Sequence, residues 1–266
     1  MQLVRGSLGK YLRIAEISLT NRVVYLADHF TSSMFLILIL FIFSQLWKTV
    51  LGGGQIAGLN ATGMLWYMVF TEVITLSTPA THRTVSNDVK SGDLAYKLSR
   101  PYSYILYYLA VHCGEFLVRL LTNLLVGAAF AYLTMGSLAV EWDKLGWMIL
   151  GLALAVAINF LMNFSLALLA FWLEDNRPFF WIFNKLVFIF GGLFVPVEAY
   201  PAGLRFISYL LPLRYGVSAP ARLIVNFEYG FLWQMLGGQI VWALLLSLLV
   251  SALFRKGVRQ VHVHGG

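Results

Sequence analysis

Long apolar runs alternate with short polar segments along the whole chain. Several of the six runs reach or exceed the roughly 20 residues that a helix needs to cross a bilayer. They cover residues 30–46, 64–81, 104–133, 145–173, 179–194 and 231–253. Continuous runs of this kind are typical of helices, because the strands of a membrane barrel alternate polar and apolar positions. The pattern therefore predicts an all-α integral membrane protein with six transmembrane helices, in one transmembrane domain covering residues 1–266.

The composition agrees with a membrane location. Of the 266 residues, 59% are hydrophobic and 12% are charged, whereas soluble domains carry about a quarter charged residues. The single cysteine, Cys113, lies inside an apolar run. Because it has no partner in the chain, the sequence excludes an internal disulfide framework and a thiolate-bound metal site.

The first 29 residues mix apolar positions with positive charges. The cations are Arg5, Lys10, Arg13 and Arg22. They interrupt the compact apolar core that a cleaved signal peptide needs, so we expect this segment to stay attached. Apolar clusters that alternate with cations are typical of a helix lying in the membrane interface. A solvated, positively charged anchor is the alternative interpretation of residues 1–29.

Lysine and arginine residues are distributed unevenly between the two sides of the predicted membrane. An even number of spans places both chain termini on one side. That side carries twelve Lys and Arg residues, and the opposite side carries five. Because cytoplasmic loops are enriched in these residues, the pattern predicts that both termini, the segment 82–101 and the tail 254–266 are cytoplasmic.

Charged residues gather in the segment 82–101, between the second and third spans. They include Asp88, Lys90, Asp93, Lys97 and Arg100. We expect Gly92 to separate two short helical pieces and Pro101 to end the second piece, because proline cannot continue a helix.

The second of these pieces has an amphipathic pattern. Leu94 and Leu98 are four residues apart and share one helix face. Asp93 at its start and Arg100 at its end follow the order that the helix dipole favours. The pattern fits a short rigid helix that lies parallel to the membrane and can pass a movement to the adjoining spans. An ordinary cytoplasmic turn with positive charges is the alternative.

Prolines divide the outer segment 195–230. Pro196, Pro201 and Pro212 interrupt helix formation, and the piece between the last two is apolar except for Arg205. That piece is too short to span a bilayer and too apolar for a solvated loop. Because irregular backbone within a membrane must be covered by protein or face water, we expect this segment to re-enter the outer leaflet and cap a cavity shared between subunits.

Five ionisable residues fall inside the predicted spans. They are Glu72, His112, Glu115, Arg119 and Lys185. A buried unpaired charge is costly in a membrane, so each is a candidate functional residue. His112, Glu115 and Arg119 share a helix face, and the last two are ordered favourably for an ion pair. This face is either a proton relay or substrate contact, or a self-neutralised structural cluster.

The other polar residues in the predicted spans are expected to be satisfied in different ways. Lys185 lies near the start of its span, so we expect its side chain to reach the cytoplasmic surface. Glu72 has no partner in its own span, and its partner must come from another helix, from water or from a proton. Asn159 and Asn163 are four residues apart and are expected to join helices.

Two motifs on opposite sides of the predicted membrane indicate a family. The cytoplasmic motif reads SNDVKSGDLAYKLSRP, and the outer motif reads GGLFVPVEAYP followed by LPLRYGVSAPARL. Together with the amino-terminal helix, their order resembles the type-2 ABC export permeases over essentially the whole chain. The cytoplasmic motif is most similar to the branch of permeases of about this length whose ATPase is encoded separately.

This resemblance implies a transmembrane permease of a bacterial plasma membrane exporter. Such a permease pairs with a second permease, either the same chain or a related one, and with two cytosolic ATPase subunits. The residues implied in coupling to the ATPase are Asp88, Lys90, Gly92, Asp93, Leu94, Lys97, Leu98, Arg100 and Pro101. ATP and Mg²⁺ are then expected in the partner ATPase, and no cofactor, metal or nucleic acid is expected for this chain.

The sequence lacks the phosphate-binding motif of an ATPase. No G-x-x-x-x-G-K-[ST] occurs. GGGQIA at 52–57 fits G-x-G-x-x-A, but it joins two predicted spans and follows no strand, which a dinucleotide site requires. His29, His82 and His112 share no metal-ligand spacing. His262 and His264 lie in a tail that ends in glycines, and we attribute them to the polarity of a solvated tail rather than to a metal site.

Two other functional classes stay open at this point. A proton-coupled secondary transporter would use Glu72 together with the face formed by His112, Glu115 and Arg119. A membrane-embedded enzyme would need a metal site or another reactive constellation, which the histidine spacing does not indicate. The cargo of a transporter is not specified, because aromatic residues that could line a pathway also belt membrane interfaces.

Overall fold

The fold is known from a computed structural model that describes residues 2–24, 30–136, 141–173 and 175–264. Its helices are α1 (Gln2–Val24), α2 (Phe30–Leu51), α3 (Ala61–Ser77), α4 (Thr81–Ser91), α5 (Asp93–Leu98), α6 (Tyr104–Met135), α7 (Leu145–Ala167), α8 (Arg177–Phe190), α9 (Ala202–Leu210), α10 (Leu213–Gly216), α11 (Ser218–Val225) and α12 (Tyr229–His264). Short 3₁₀ turns occur at Trp142–Lys144, Leu168–Phe171 and Val197–Ala199. Within the described ranges there is no β-strand, which confirms the predicted all-α class. Residues 25–29 of the predicted interfacial helix, with His29, and residues 265–266 of the tail lie outside the described residues.

Four of the described helical stretches are long and apolar enough to cross a membrane. They are Ser33–Leu51, Tyr104–Met135, Trp142–Phe171 and Tyr229–Gln260. The helices α3 and α8 have 17 and 14 residues. At 1.5 Å per residue they measure about 26 and about 21 Å, less than the roughly 30 Å of a hydrocarbon core. The number of six spans therefore stays a prediction.

The predicted second span ends earlier than its apolar run. α3 ends at Ser77, and Thr78 adopts an extended conformation before Pro79. A residue before proline is pushed out of the helical region, which explains the break. Thr81 then begins α4 as a separate helix. The run of apolar residues did not mark this boundary, because it continues across the proline.

α3 is the centre of one hydrophobic core. Its side chains pack against α2, α6 and α11, and Tyr67 and Met68 are fully buried. Gly127 of α6 lets the two helices approach, because a Cβ there would lie 3.0 Å from Val69. Near the end of α3, Asn123 of α6 donates a hydrogen bond of 3.2 Å to the hydroxyl of Ser77.

α6 extends well beyond α3. Its 32 residues span about 48 Å, which exceeds the roughly 30 Å of a hydrocarbon core. α1 packs along the first part of α6. The Lys10 ammonium donates to the carbonyl of Pro101 at 3.1 Å, and the backbone N–H of Ser103 donates to the hydroxyl of Tyr11 at 2.9 Å. Gly114 permits the contact, since any Cβ at this position would collide with the carbonyl oxygen of Ala15.

A second pair of long helices, α7 and α12, packs side by side. Gln239 of α12 donates to the carbonyl of Gly151 at 2.9 Å. Gly257 lies against the ring of Phe171, where a Cβ would collide. α4 packs on α7 and on the turn Leu168–Phe171, so the charged segment after α3 is attached to this second pair.

The segment between α8 and α12 contacts the middle of α3 and of α7. The chain turns at Gly192, which has a φ of +71°. Tyr67 donates to the carbonyl of Gly192, and Thr71 donates to the carbonyl of Leu193 at 2.6 Å. Asn159 of α7 donates to the carbonyl of Gly216 at 2.8 Å. The start of this segment and its α10 helix are therefore held at mid-helix positions of α3 and α7.

Candidate coupling site and polar cavities

The two short helices α4 and α5 meet at Gly92. This residue has φ +82° and ψ −2°, the left-handed conformation that glycine adopts without a steric penalty. It ends α4 and immediately precedes α5. Asp93 begins α5 and accepts a hydrogen bond of 2.9 Å from the hydroxyl of Ser91. The left-handed Gly92 thus separates the two helices without any further linking residue.

A buried carboxylate fastens α5 to α6. Asp88 of α4 is only 4% exposed. The Lys97 ammonium of α5 lies 2.7 and 2.8 Å from its two oxygens. Tyr104 donates to the same carboxylate at 2.9 Å, and Tyr108 donates to it as well. Lys97 also lies 2.9 Å from the Tyr108 hydroxyl. We call Asp88, Lys97, Tyr104 and Tyr108 the Asp88 cluster.

The two faces of α5 differ in their surroundings. Leu94 is 1% exposed and packs in the hydrophobic core with Val85 and Tyr104. Leu98 is half-buried against the same core. Tyr96 is 60% exposed, and the Arg100 guanidinium lies 4.4 Å from the centre of its ring. The leucines therefore anchor α5, and its exposed face, together with the turn that follows it, carries an aromatic ring and a cation.

The other predicted coupling residues lie around this helix. Lys90 and Asp93 are exposed, as are Arg100 and Pro101. The carbonyl of Pro101 contacts Lys10 of α1, so α1 reinforces the connection from α5 to α6. Lys90 lies at a surface cleft beside Phe171, Trp172 and neighbouring residues.

Sequence reasoning missed the two tyrosines of the Asp88 cluster. Tyr104 and Tyr108 are four residues apart on α6, and Asp88 and Lys97 are nine residues apart across Gly92. The four-residue spacing places both hydroxyls on one helix face. This spacing was a usable signal, but nothing in the sequence specified that the face points to α4.

The predicted face on α6 is divided between two environments. Arg119 forms an ion pair with Glu115 at 3.8 Å. Both line a cavity of about 310 Å³ together with Arg83, Thr84 and other residues of the α4 side. His112 is 1% exposed, and its Nδ1 lies 3.1 Å from the hydroxyl of Thr81. His112 packs against Phe116 and Phe160 instead of lining this cavity.

Glu72 lies in a different cavity, of about 400 Å³. Its side chain is 2% exposed, and its Oε1 has no hydrogen-bond partner in the described part of the chain. The cavity lies where α2, α3, α4, α7 and α8 meet, and residues of all five helices line it. We call it the Glu72 cavity.

Other polar side chains border the Glu72 cavity. Lys185 is exposed, and its ammonium lies 5.5 Å from the centre of the Trp181 ring, one turn nearer the start of α8. Asn159 and Asn163 also line the cavity. Asn159 bonds to Gly216 of α10, and Asn163 donates to the carbonyl of Asn159 at 2.8 Å. Asn159 thus connects α7 with the segment before α12, whereas Asn163 bonds within α7.

The outer segment contains a buried cation that the sequence did not single out. Arg214 is 5% exposed and lies 3.7 Å from Glu198. Its guanidinium stacks 3.8 Å from the centre of the Tyr209 ring. The predicted Arg205 is exposed and donates to the carbonyl of Glu198 at 3.4 Å. Pro201 precedes α9, and Pro212 precedes α10.

The three prolines lie at starts of local structure. Pro196 is buried and comes directly before the turn Val197–Ala199.

Among the described residues, no three His, Cys, Asp or Glu side chains gather in a way that could hold a metal ion. The side chains of His262 and His264 lie outside the described residues, as does His29.

Comparison with known proteins identifies the family. Residues 30–265 match the family model described as ABC-2 family transporter protein. A search of curated proteins finds no match to the chain. The family match covers most of the chain and includes the Asp88 cluster, the Glu72 cavity and the four long apolar helices. The chain is thus a multi-pass membrane protein that belongs to the ABC-2 transporter family.

Proposed function

We propose that the chain is the transmembrane permease subunit of an ATP-driven exporter. It forms the substrate pathway with a second permease, either the same chain or a related one. Cytosolic ATPase subunits bind ATP and Mg²⁺ and supply the energy. Membership of the ABC-2 family supports the permease role. The excess of cations on the side of the termini supports a cytoplasmic location for both termini in a bacterial plasma membrane.

The observation that carries this proposal is the attachment of α5 through the Asp88 cluster. α5 exposes Tyr96 and Arg100 while Leu94 and Lys97 hold its other side. An ATPase that binds the exposed face would therefore move a fastened helix. Hydrogen-bonded charges in a buried site resist independent displacement of their partners. Movement of α5 is consequently passed to α6 and, through α4, to α7.

The short helices α3 and α8 complete six spans in this proposal. The chain after α8 contacts the middle of α3 through Gly192 and Leu193. α11 then packs against α3, and Arg222 donates to the carbonyl of Ala57 at 3.3 Å. This course supports a re-entrant segment that fills the outer half of the membrane beyond α8.

The coupling role is tested at the exposed face of α5. The variant Tyr96→Asp with Arg100→Glu should lose co-purification of the ATPase, because it inverts the charge and removes the ring from the docking face. Arg177→Glu is the matched control, since Arg177 is the first residue of α8, its side chain is exposed, and it is predicted to lie on the same side of the membrane. Full ATPase co-purification with the Tyr96 and Arg100 variant would refute docking at this face.

A proton-coupled secondary transporter is the second candidate function. The buried Oε1 of Glu72, without a hydrogen-bond partner, favours it, because such a carboxylate could load and release a proton. The two candidates differ in their response to an uncoupler. We expect wild-type export from inverted vesicles with ATP present to continue after the proton gradient collapses. Loss of wild-type export under these conditions, with ATP still abundant, would contradict the ATP-driven mechanism.

A further inference from the structure

Glu72 is a buried carboxylate without a compensating partner. It is 2% exposed, and no ion pair or hydrogen bond to its Oε1 occurs among the described residues. An ionised carboxylate in such surroundings is strongly disfavoured unless a cation reaches it. Among the described side chains none neutralises an ionised Glu72, so the ionised form needs a cation from elsewhere.

The space beside Glu72 has the size of a small-molecule site. Its volume is about 400 Å³, within the range of roughly 300–1,000 Å³ that ligand pockets occupy. The lining combines aromatic rings with side-chain amides. The rings belong to Phe35, Phe183, Phe188 and Phe194, and the amides to Asn159, Asn163 and Asn184. Such a lining suits a ligand with apolar, aromatic groups, because aromatic side chains pack against such groups. The faces of the rings also attract cations.

The other ionisable groups lining the cavity do not neutralise Glu72. His82 stacks on Phe180 with ring centres 3.7 Å apart, and burial lowers the pKa of His82 to about 4, so it is neutral at pH 7. Lys185 is exposed, and its ammonium lies over the Trp181 ring. Glu72 is the single carboxylate among the described lining residues. The cavity thus offers one buried carboxylate, whose ionised form a bound cation would stabilise.

We propose that the Glu72 cavity binds organic cations with one positive charge and an apolar, aromatic body. This inference rests on the proposed function, because such cations are then the class of cargo that the exporter moves. The ligand's charge takes the place of the missing partner of Glu72, and its rings contact the phenylalanines. A neutral molecule of the same shape would leave the carboxylate unpaired, and an anion would be repelled.

Binding to the purified full chain in lipid nanodiscs tests this proposal. The probe is tetraphenylphosphonium, measured by equilibrium dialysis with empty nanodiscs subtracted. We expect Glu72→Gln to weaken binding by about tenfold or more, since the loss of a buried charge partner exceeds the 1.4 kcal/mol that corresponds to a tenfold change. Glu72→Asp, which keeps the charge, should retain more of the affinity than Glu72→Gln.

The matched control is Glu141→Gln, because Glu141 is an exposed carboxylate outside the cavity. It should bind the probe like the wild type. If Glu72→Gln binds the probe as tightly as Glu141→Gln, the proposal is wrong. Should Glu72→Gln fail to insert, the wild type still decides the question. Triphenylphosphine oxide, a neutral compound with similar rings, should then displace the probe poorly, and equal affinity of the neutral compound would overturn the proposal.

These measurements need no ATPase, so their outcome is independent of the docking experiment on α5. Suppose that the Tyr96 and Arg100 variant loses the ATPase but the cavity binds the charged and the neutral phosphorus compounds equally. The exporter proposal would then stand, and the proposed cation site would be refuted. A site that carries only a proton would bind neither phosphorus compound, which would also overturn the inference.

Discussion

Replacing Asp88 by asparagine should loosen the attachment of α5 to α6. The carboxylate receives hydrogen bonds from Lys97 and from the two tyrosine hydroxyls. The asparagine side chain keeps the size and one acceptor oxygen but loses the negative charge. Lys97 is then left as a partly buried cation without its ion-pair partner, which is the main cost of the substitution.

The magnitude follows from the burial of the two side chains. Breaking a fully buried ion pair by removing one partner costs about 3–5 kcal/mol. The Asp88 side chain is 6% exposed, but the Lys97 side chain is 23% exposed and can turn toward water. We therefore expect Asp88→Asn to lower the free energy of unfolding by about 2 kcal/mol, less than for a fully buried pair because water partly solvates Lys97. For a chain of this size such a loss lowers the Tm by about 4–8 °C.

The assay combines thermal unfolding of the purified chain with ATPase co-purification. Asp175→Asn is the matched control, because Asp175 forms an exposed ion pair with Arg177 at 2.8 Å, and its loss should not shift the Tm measurably. In a double-mutant cycle with Lys97→Met, the combined variant should lose less stability than the sum of the single variants. A Tm change in Asp88→Asn no larger than that in Asp175→Asn would refute the role assigned to the Asp88 cluster.

Two further predictions concern contacts elsewhere in the fold. Gly114→Ala should displace α1 from α6 and increase the proteolysis of α1, because the new Cβ collides with a backbone carbonyl. Gly146→Ala is the control, since the space around Gly146 is open and its proteolysis should not change. Equal proteolysis of both variants would contradict this packing. Arg214→Met should lower the Tm more than Arg205→Met, because of these two arginines only Arg214 is buried beside Glu198. The reverse order of Tm values would show that the contact with Glu198 does not stabilise the outer segment.

The sequence by itself determined the helical class and the long membrane helices. The apolar runs at α2, α6, α7 and α12 are long enough that no other structure satisfies their backbone groups in a membrane. Gly92 also marked the boundary between α4 and α5, because a left-handed residue there favours glycine. These features depend on local composition and backbone chemistry, which can be read without knowledge of the neighbours.

The tertiary structure alone decided which faces and charges meet. The leucines of α5 could have faced an ATPase, but Leu94 is buried against the start of α6. Asp88 and Lys97 could have been solvated charges, but two tyrosines of α6 enclose them. Glu72 could have found a cation on another helix, but the packing of five helices leaves it beside a cavity instead. Periodicity gives the face of each helix, whereas the partner of that face depends on contacts between residues distant in the sequence.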